Sequence, residues 1–130
     1  MTYEELAERC EQATGPDREL DCLIVETFGW KRIAKGRLFF REIWWERGND
    51  RLWLPQIPKL TVSLDAAMTL VPEGWERFDV DATAPELGID WTLHGPMKDE
   101  AKGTADTPAL ALCAAALRAI AAHQAKDQGR

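Results

Sequence analysis

Trp44 and Trp45 stand side by side within a β-rich run, Leu38 through Glu46, and this adjacency constrains the fold more than any other feature of the chain. Successive side chains of a strand point to opposite faces of a sheet, so one buried face cannot hold both indoles. Either helices cover both faces of the strand or one indole meets solvent. Phe39 and Phe40 repeat the two-sided pattern earlier in the run, which favours a sheet covered on both sides. The alternative is an aromatic patch flanked by Arg37, Arg41 and Arg47, able to stack a nucleobase, grip a partner or form a dimer. At least one of Trp44 and Trp45 is expected to be partly exposed in the isolated monomer. Arg37, Arg41, Trp44, Trp45 and Arg47 are therefore the candidate binding residues.

The elements around this strand follow from periodicity and capping chemistry. Tyr3, Leu6, Ala7, Cys10 and Ala13 make one face of an amphipathic helix that Gly15 ends. A second helix is expected from about Pro16 to Phe28, with Thr14 and Asp17 forming a capping box, Gly29 as terminator and Trp30 packing back on the joint. Gly48, Asn49 and Asp50 supply hairpin turn chemistry before Arg51 to Leu54 return, and Pro55 and Pro58 make the next stretch irregular. Ser63 caps a short helix, Leu64 to Val71.

Trp75 to Val80 and Ile89 to His94 read as a second pair of strands. In the latter, Ile89, Trp91 and Leu93 alternate with Asp90, Thr92 and His94. Gly95 and Pro96 open a polar loop lasting until about Ala105. The final helix starts with Thr107 as N-cap and Pro108 at the first helical position, and carries Leu110, Cys113, Ala114, Leu117 and Ile120 along one side. The expected fold class is thus α+β: an antiparallel sheet of about four strands between helical layers, in the order α-α-β-β-α-β-β-α, with a frayed tail from about residue 125.

The 130 residues suit one domain, and a 45% hydrophobic fraction with 29% charged residues is the balance of a globular chain. A formal net charge of -6 disfavours a nucleic-acid binder held by phosphate contacts. No window approaches the apolar length needed to cross a bilayer, and the acidic N-terminus lacks a signal-peptide pattern, so a cytoplasmic protein is expected. Cys10, Cys22 and Cys113 lack the spacing of a zinc site, and reduced thiols are expected. Cys10 and Cys113 fall on apolar helical faces, whereas Cys22 falls on the far side of its helix from Leu20, Leu23 and Ile24, toward solvent.

Three stretches carry a resemblance: Ala13-Thr-Gly-Pro-Asp-Arg-Glu-Leu-Asp21, Leu60-Thr-Val-Ser-Leu-Asp-Ala-Ala-Met-Thr-Leu-Val-Pro-Glu-Gly-Trp75, and Thr107-Pro-Ala-Leu-Ala-Leu-Cys-Ala-Ala-Ala-Leu117. On these the chain resembles small phage and prophage proteins of the phage ABA sandwich type. The resemblance implies an antiparallel sheet between helical layers and brings no known catalytic residues. Its motifs are helix caps and packing faces, which identify a fold more than an activity.

The chemistry legible in the residues is sparse. Ser63, Asp90 and His94 could be drawn as a triad, but Ser63 serves as a helix cap, and Asp90 and His94 lie roughly 13 Å apart along one strand. Two histidines, one of them His123 in the tail, give no histidine-rich metal site, and no glycine-rich phosphate loop occurs. No metal and no cofactor are expected. The expected function is a non-enzymatic binding or interaction module of a phage or prophage, acting in the host cytoplasm on a protein partner or on itself. The alternatives are a sponge for a small signalling nucleotide and, lowest, an enzyme with an unfamiliar site near Asp90 and His94.

Overall fold

A computed structural model describes residues 1–36 and 41–128 of the chain. Among the described residues four α-helices and six strands follow in order: α1 (Tyr3–Gln12), α2 (Arg18–Glu26), β1 (Lys31–Lys35), β2 (Glu42–Arg47), β3 (Asp50–Trp53), α3 (Leu64–Met68), β4 (Arg77–Asp81), β5 (Ile89–His94), β6 (Glu100–Ala105) and α4 (Pro108–Gln128). The strands form two antiparallel sheets, β1-β2-β3 and β4-β5-β6. The α+β class, the antiparallel pairing and the succession of helical and strand blocks are those expected. Two strands, β1 and β6, are additional. The Phe39–Phe40 pattern and Arg37 lie outside the described residues.

α4 is the organising element. Its residues from Ala109 to Leu117 are buried all round, which is the mark of a helix lying inside a core rather than on its surface. By length and composition its stretch Pro108–Ala125 could cross a membrane, contrary to the sequence expectation, yet here it packs against α1, α3, β5 and β6. The start is as expected, with the Thr107 hydroxyl accepting from Leu110 N–H at 3.3 Å. The helix continues to Gln128, beyond the expected fraying point.

The polar loop expected from Gly95 to about Ala105 is instead a strand over Glu100–Ala105, whose inward positions are Ala101, Gly103 and Ala105 rather than Val or Ile. All three are buried against α4, and its outward positions are exposed. A Cβ on Gly103 would overlap the Ala111 carbonyl oxygen and sit 2.6 Å from Ala115 N. Small residues on both partners thus allow an approach closed to larger side chains. The register pairs Trp91 with Gly103 and Val80 with Trp91, so β5 lies at the centre of this sheet.

The outer edge of β6 is closed by side chains. Arg118 donates from Nη1 to the Lys102 carbonyl at 2.8 Å, and Thr104 N–H donates to Glu11 Oε2 at 2.9 Å. Arg118 also binds Glu11 through two bonds of 2.7 and 2.8 Å and reaches Glu4 at 3.0 Å, which ties α1 to α4. Hydrogen bonding from Arg118 holds the Glu11 carboxyl below the usual carboxylate range, against the opposing effect of its partial burial and with help from Thr104 N–H.

The other sheet is attached through α2. Asp17, not Thr14, caps this helix by accepting from Leu20 N–H at 3.1 Å. Arg18 donates to the carbonyls of Leu54, Ile57 and Pro58 and to Asp21 Oδ2, the last at 3.0 Å. Buried Asp21 accepts from Thr61 N–H at 2.8 Å, while the Thr61 hydroxyl exchanges hydrogen bonds with the Asp17 backbone. Two of the stretches carrying the sequence resemblance therefore meet, and their polar residues hold α2 to the segment after β3. Cys22 is buried rather than solvent-facing, because the inner face of β1-β2-β3 covers that side of α2.

Leu117 is fully buried, so Leu117→Ala is expected to cost about 2 to 5 kcal/mol in chemical denaturation. Gly103→Ala should cost about 1 to 3 kcal/mol or more through overpacking, while Lys102→Ala on the exposed side of β6 should change little. A neutral Gly103→Ala would show that the α4 contact yields. Because the folded pKa of Glu11 is depressed, its contribution is present above the ordinary carboxylate pKa and lost as pH falls through the folded value. Acidification should therefore destabilise wild type more than Glu11→Gln, with the two curves converging at the acid end.

Candidate functional site

The two faces of β1-β2-β3 follow from strand alternation and register. Ile33 pairs with Trp44 and Trp44 with Trp53, so these three share the outer face; Arg32, Trp45 and Leu52 are matched in the same way on the inner face. A two-residue turn at Gly48–Asn49 sets this register, with Gly48 at φ 61° taking the left-handed position that favours glycine.

Trp45 is 2% exposed beneath α2, with the Arg32 guanidinium 5.4 Å from its ring. Arg32 is itself oriented by Glu19 at 3.3 Å and Glu26 at 3.5 Å. Trp44, on the opposite face, is only 6% exposed. The expected exposure of one of these two indoles is therefore wrong, and the reason lies between the two cases posed by the sequence. No helix is needed over Trp44, because neighbouring side chains clothe it. Trp53 lies 5.4 Å away, tilted by 45°, the Arg51 guanidinium sits 4.8 Å from the ring, and Lys35 Nζ lies 6.0 Å from it. The Trp44 indole N–H donates to Glu46 Oε1 at 2.8 Å, and this bond, with Arg51 alongside, holds the Glu46 carboxyl below its ordinary range.

The five candidate residues do not form one patch. Trp44 is outward, Trp45 and Arg47 are inward, Arg41 is exposed ahead of β2, and Arg37 lies outside the described residues. On the outer face of β1-β2-β3 the aromatic surface that solvent does reach is Trp53, 39% exposed, with Arg51 beside it. Both were missed as candidates, although a two-residue Gly48–Asn49 turn counts Trp53 directly opposite Trp44.

The inner face contributes the more enclosed feature. A groove of about 420 Å³ opens between the C-terminal part of α2, β3 and the end of α3. Val25, Leu52, Leu60 and Leu70 line it together with Phe28 and Trp30; Arg47 and Thr69 are its polar side chains. Arg47 is fixed by two contacts. Its guanidinium stacks 4.5 Å from the Trp30 ring, and Nη1 donates to the Phe28 carbonyl at 3.3 Å. Such a site offers apolar walls with one oriented cation at the mouth, suited to an apolar group carrying an acceptor oxygen or an anion.

The residues drawn as a triad are apart. Ser63 caps α3 by accepting from Ala66 N–H at 3.2 Å. The Asp90 carboxylate accepts from the Thr104 hydroxyl at 2.6 Å. His94 Nε2 instead meets Asp79 Oδ2 at 2.7 Å, with Glu100 3.6 Å from Nδ1. Among the described residues no group of three His, Cys, Asp or Glu side chains could hold a metal ion. Burial and hydrogen bonding raise both thiols whose titration is displaced: Cys22 by desolvation, Cys113 chiefly by its hydrogen bond with Cys10. No protein-family model matches the chain, and no curated protein or solved structure matches it either.

In single-tryptophan variants with the other five of the six indoles replaced by Phe, an aqueous fluorescence quencher should reach Trp53 readily and Trp44 and Trp45 poorly. Arg51→Ala should increase quenching of Trp44 and leave Trp45 unchanged. Equal accessibility of Trp44 and Trp53 would contradict the side-chain cover described above.

Proposed function

We propose that the protein is a non-enzymatic binding module, of phage or prophage origin as the sequence resemblance implies, acting on a protein partner in the host cytoplasm. The observation that carries this reading is the groove of about 420 Å³ with Arg47 held at its mouth by Trp30. Its volume lies within the range of sites that take a small ligand or an anchoring side chain. All its lining side chains except Arg47 and Thr69 are apolar, so burying a partner's Leu, Met or aromatic group there would remove water from both surfaces. Arg47 would then select a carboxylate or carbonyl next to the anchor.

A small nucleotide is the second reading, favoured by the Arg47–Trp30 stack, which pairs an aromatic face with a cation. A base could lie against the indole with phosphate on the guanidinium. Among the described residues Arg47 is the single cation lining the groove, which offers little for a multiply charged phosphate chain. The protein-partner reading is therefore preferred.

Two variants test it: Arg47→Glu, which reverses the charge at the mouth, and Thr69→Trp, which fills the groove. A partner captured from host cells should be re-purified and its affinity measured against both. Each variant should weaken binding at least about tenfold, about 1.4 kcal/mol, with Lys102→Ala unchanged. A nucleotide that binds wild type and is lost in the same variants, without any protein partner, would replace the leading reading by the second. Binding indifferent to both variants would remove the groove from the function.

A further inference from the structure

The four edges of the two sheets are unequal. The β6 edge is closed by Glu11 and Arg118. β3 is four residues long and passes directly into the turn at Leu54–Gln56. β1 carries Lys31 and Lys35 at its two ends, so a second β1 laid antiparallel about Ile33 would set lysine against lysine twice. Charge at an edge is a usual protection against unwanted pairing.

β4 is neither closed by side chains nor ended by two like charges: Arg77 stands at one end and Asp81 at the other. All five of its residues are exposed, and among the described residues no hydrogen bond is made to its backbone groups on the side away from β5. Phe78 and Val80 share the helix-facing side of the sheet with Leu93 and Trp91, yet α4 lies over β5 and β6 and leaves them uncovered. Each is 46% exposed, and Phe78 stacks 5.1 Å from Trp91. Apolar side chains on an open edge are the arrangement that strand addition covers.

The sequence of β4, Arg-Phe-Asp-Val-Asp, also specifies what can cover it. We propose that β4 pairs antiparallel with β4 of a second copy about a two-fold axis at Asp79, joining two three-stranded sheets into one of six. In this register Arg77 faces Asp81 of the second copy at both ends, and Phe78 faces Val80 at both positions. Residues directly opposite in antiparallel strands project to the same side, so the apolar pairs fall together on the helix side and the ion pairs together on the outer side. The central pair is Asp79 with itself. Its carboxylate is already engaged by His94 at 2.7 Å, and the two ends supply the opposite charges. Moving the axis to Val80 would set Asp79 against Asp81 twice, in place of one Asp79 pair, and would lose both Arg77–Asp81 pairs, so that register is disfavoured. The interface is isologous, as a closed dimer requires. It lies on the sheet opposite to the groove of the proposed binding function and does not depend on it.

Sedimentation velocity over a concentration series tests the proposal. Wild type should show a concentration-dependent monomer–dimer equilibrium. Asp81→Arg and Arg77→Asp, at exposed positions and with folding checked by circular dichroism, should each weaken the dimer by about tenfold or more, since each replaces two attractive pairs with two repulsive ones. The double variant Arg77→Asp/Asp81→Arg should restore dimerisation, because it exchanges the charges without changing their pairing. A monomer at every concentration overturns the proposal. So does a dimer indifferent to the single variants, or a double variant no better than either single one.

Discussion

The close approach of β6 to α4 at Gly103 is the constraint around which the rest of the molecule is arranged. With the Ala111 backbone where a Cβ would stand, the strand lies directly against the helix. That proximity brings Trp91 and Leu93 of β5 into one core cluster with Leu110 and Leu117 of α4. It also leaves the opposite flank of α4 free to meet α1 and α3. Alanine serves twice in this helix: it has the highest helix propensity, and its small side chain permits neighbours on every side. The edge exposed by this packing is then closed by Arg118 and Glu11, so a core contact between small residues and a charged surface network act on the same strand.

The attachment of β1-β2-β3 follows a different principle, with polar groups accounting for much of the specificity. Arg18 gathers three carbonyls from the irregular segment after β3, a stretch whose prolines deny it a regular ladder. Asp21 is buried at 2% exposure, but its two oxygens are engaged by Arg18 and Thr61 N–H, which offsets the cost of removing a carboxylate from water. This network positions the far wall of the groove, including Leu60, relative to α2. Its residues are among those carrying the sequence resemblance. They thus mark how this fold is assembled, while Arg47 and Trp30, which shape the mouth of the groove, lie outside those stretches.

Clothing of Trp44 by Trp53, Arg51 and Lys35 changes where recognition on this sheet can occur. An indole on a solvent-facing sheet side is usually a liability or a contact point. Here the indole N–H is satisfied by Glu46 and the ring is covered by cations and by Trp53. The outer face therefore presents Trp53 rather than Trp44, and the groove on the inner face becomes the more enclosed site for a partner.

The sequence by itself determined that four helices form, their caps at Ser63 and Thr107, a hairpin turn opening at Gly48 and the inward set Ile89, Trp91 and Leu93, because these depend on local geometry and short periods. It also placed Leu117 in the core. Tertiary structure alone decided that Lys31–Lys35 and Glu100–Ala105 are strands. The first is flanked by charges and gains its conformation from pairing with β2; the second buries only Ala and Gly on its inner side, a pattern without the hydrophobic signal by which strands are read. The same distinction governs the candidate site. Alternation correctly sent Trp44 and Trp45 to opposite faces, but burial is set by what lies across the sheet or above it, and those neighbours are distant in sequence. Arg47 was legible as a candidate, whereas the groove that gives it a role is assembled from α2, β3, α3 and the segment after β3, elements that only folding brings together.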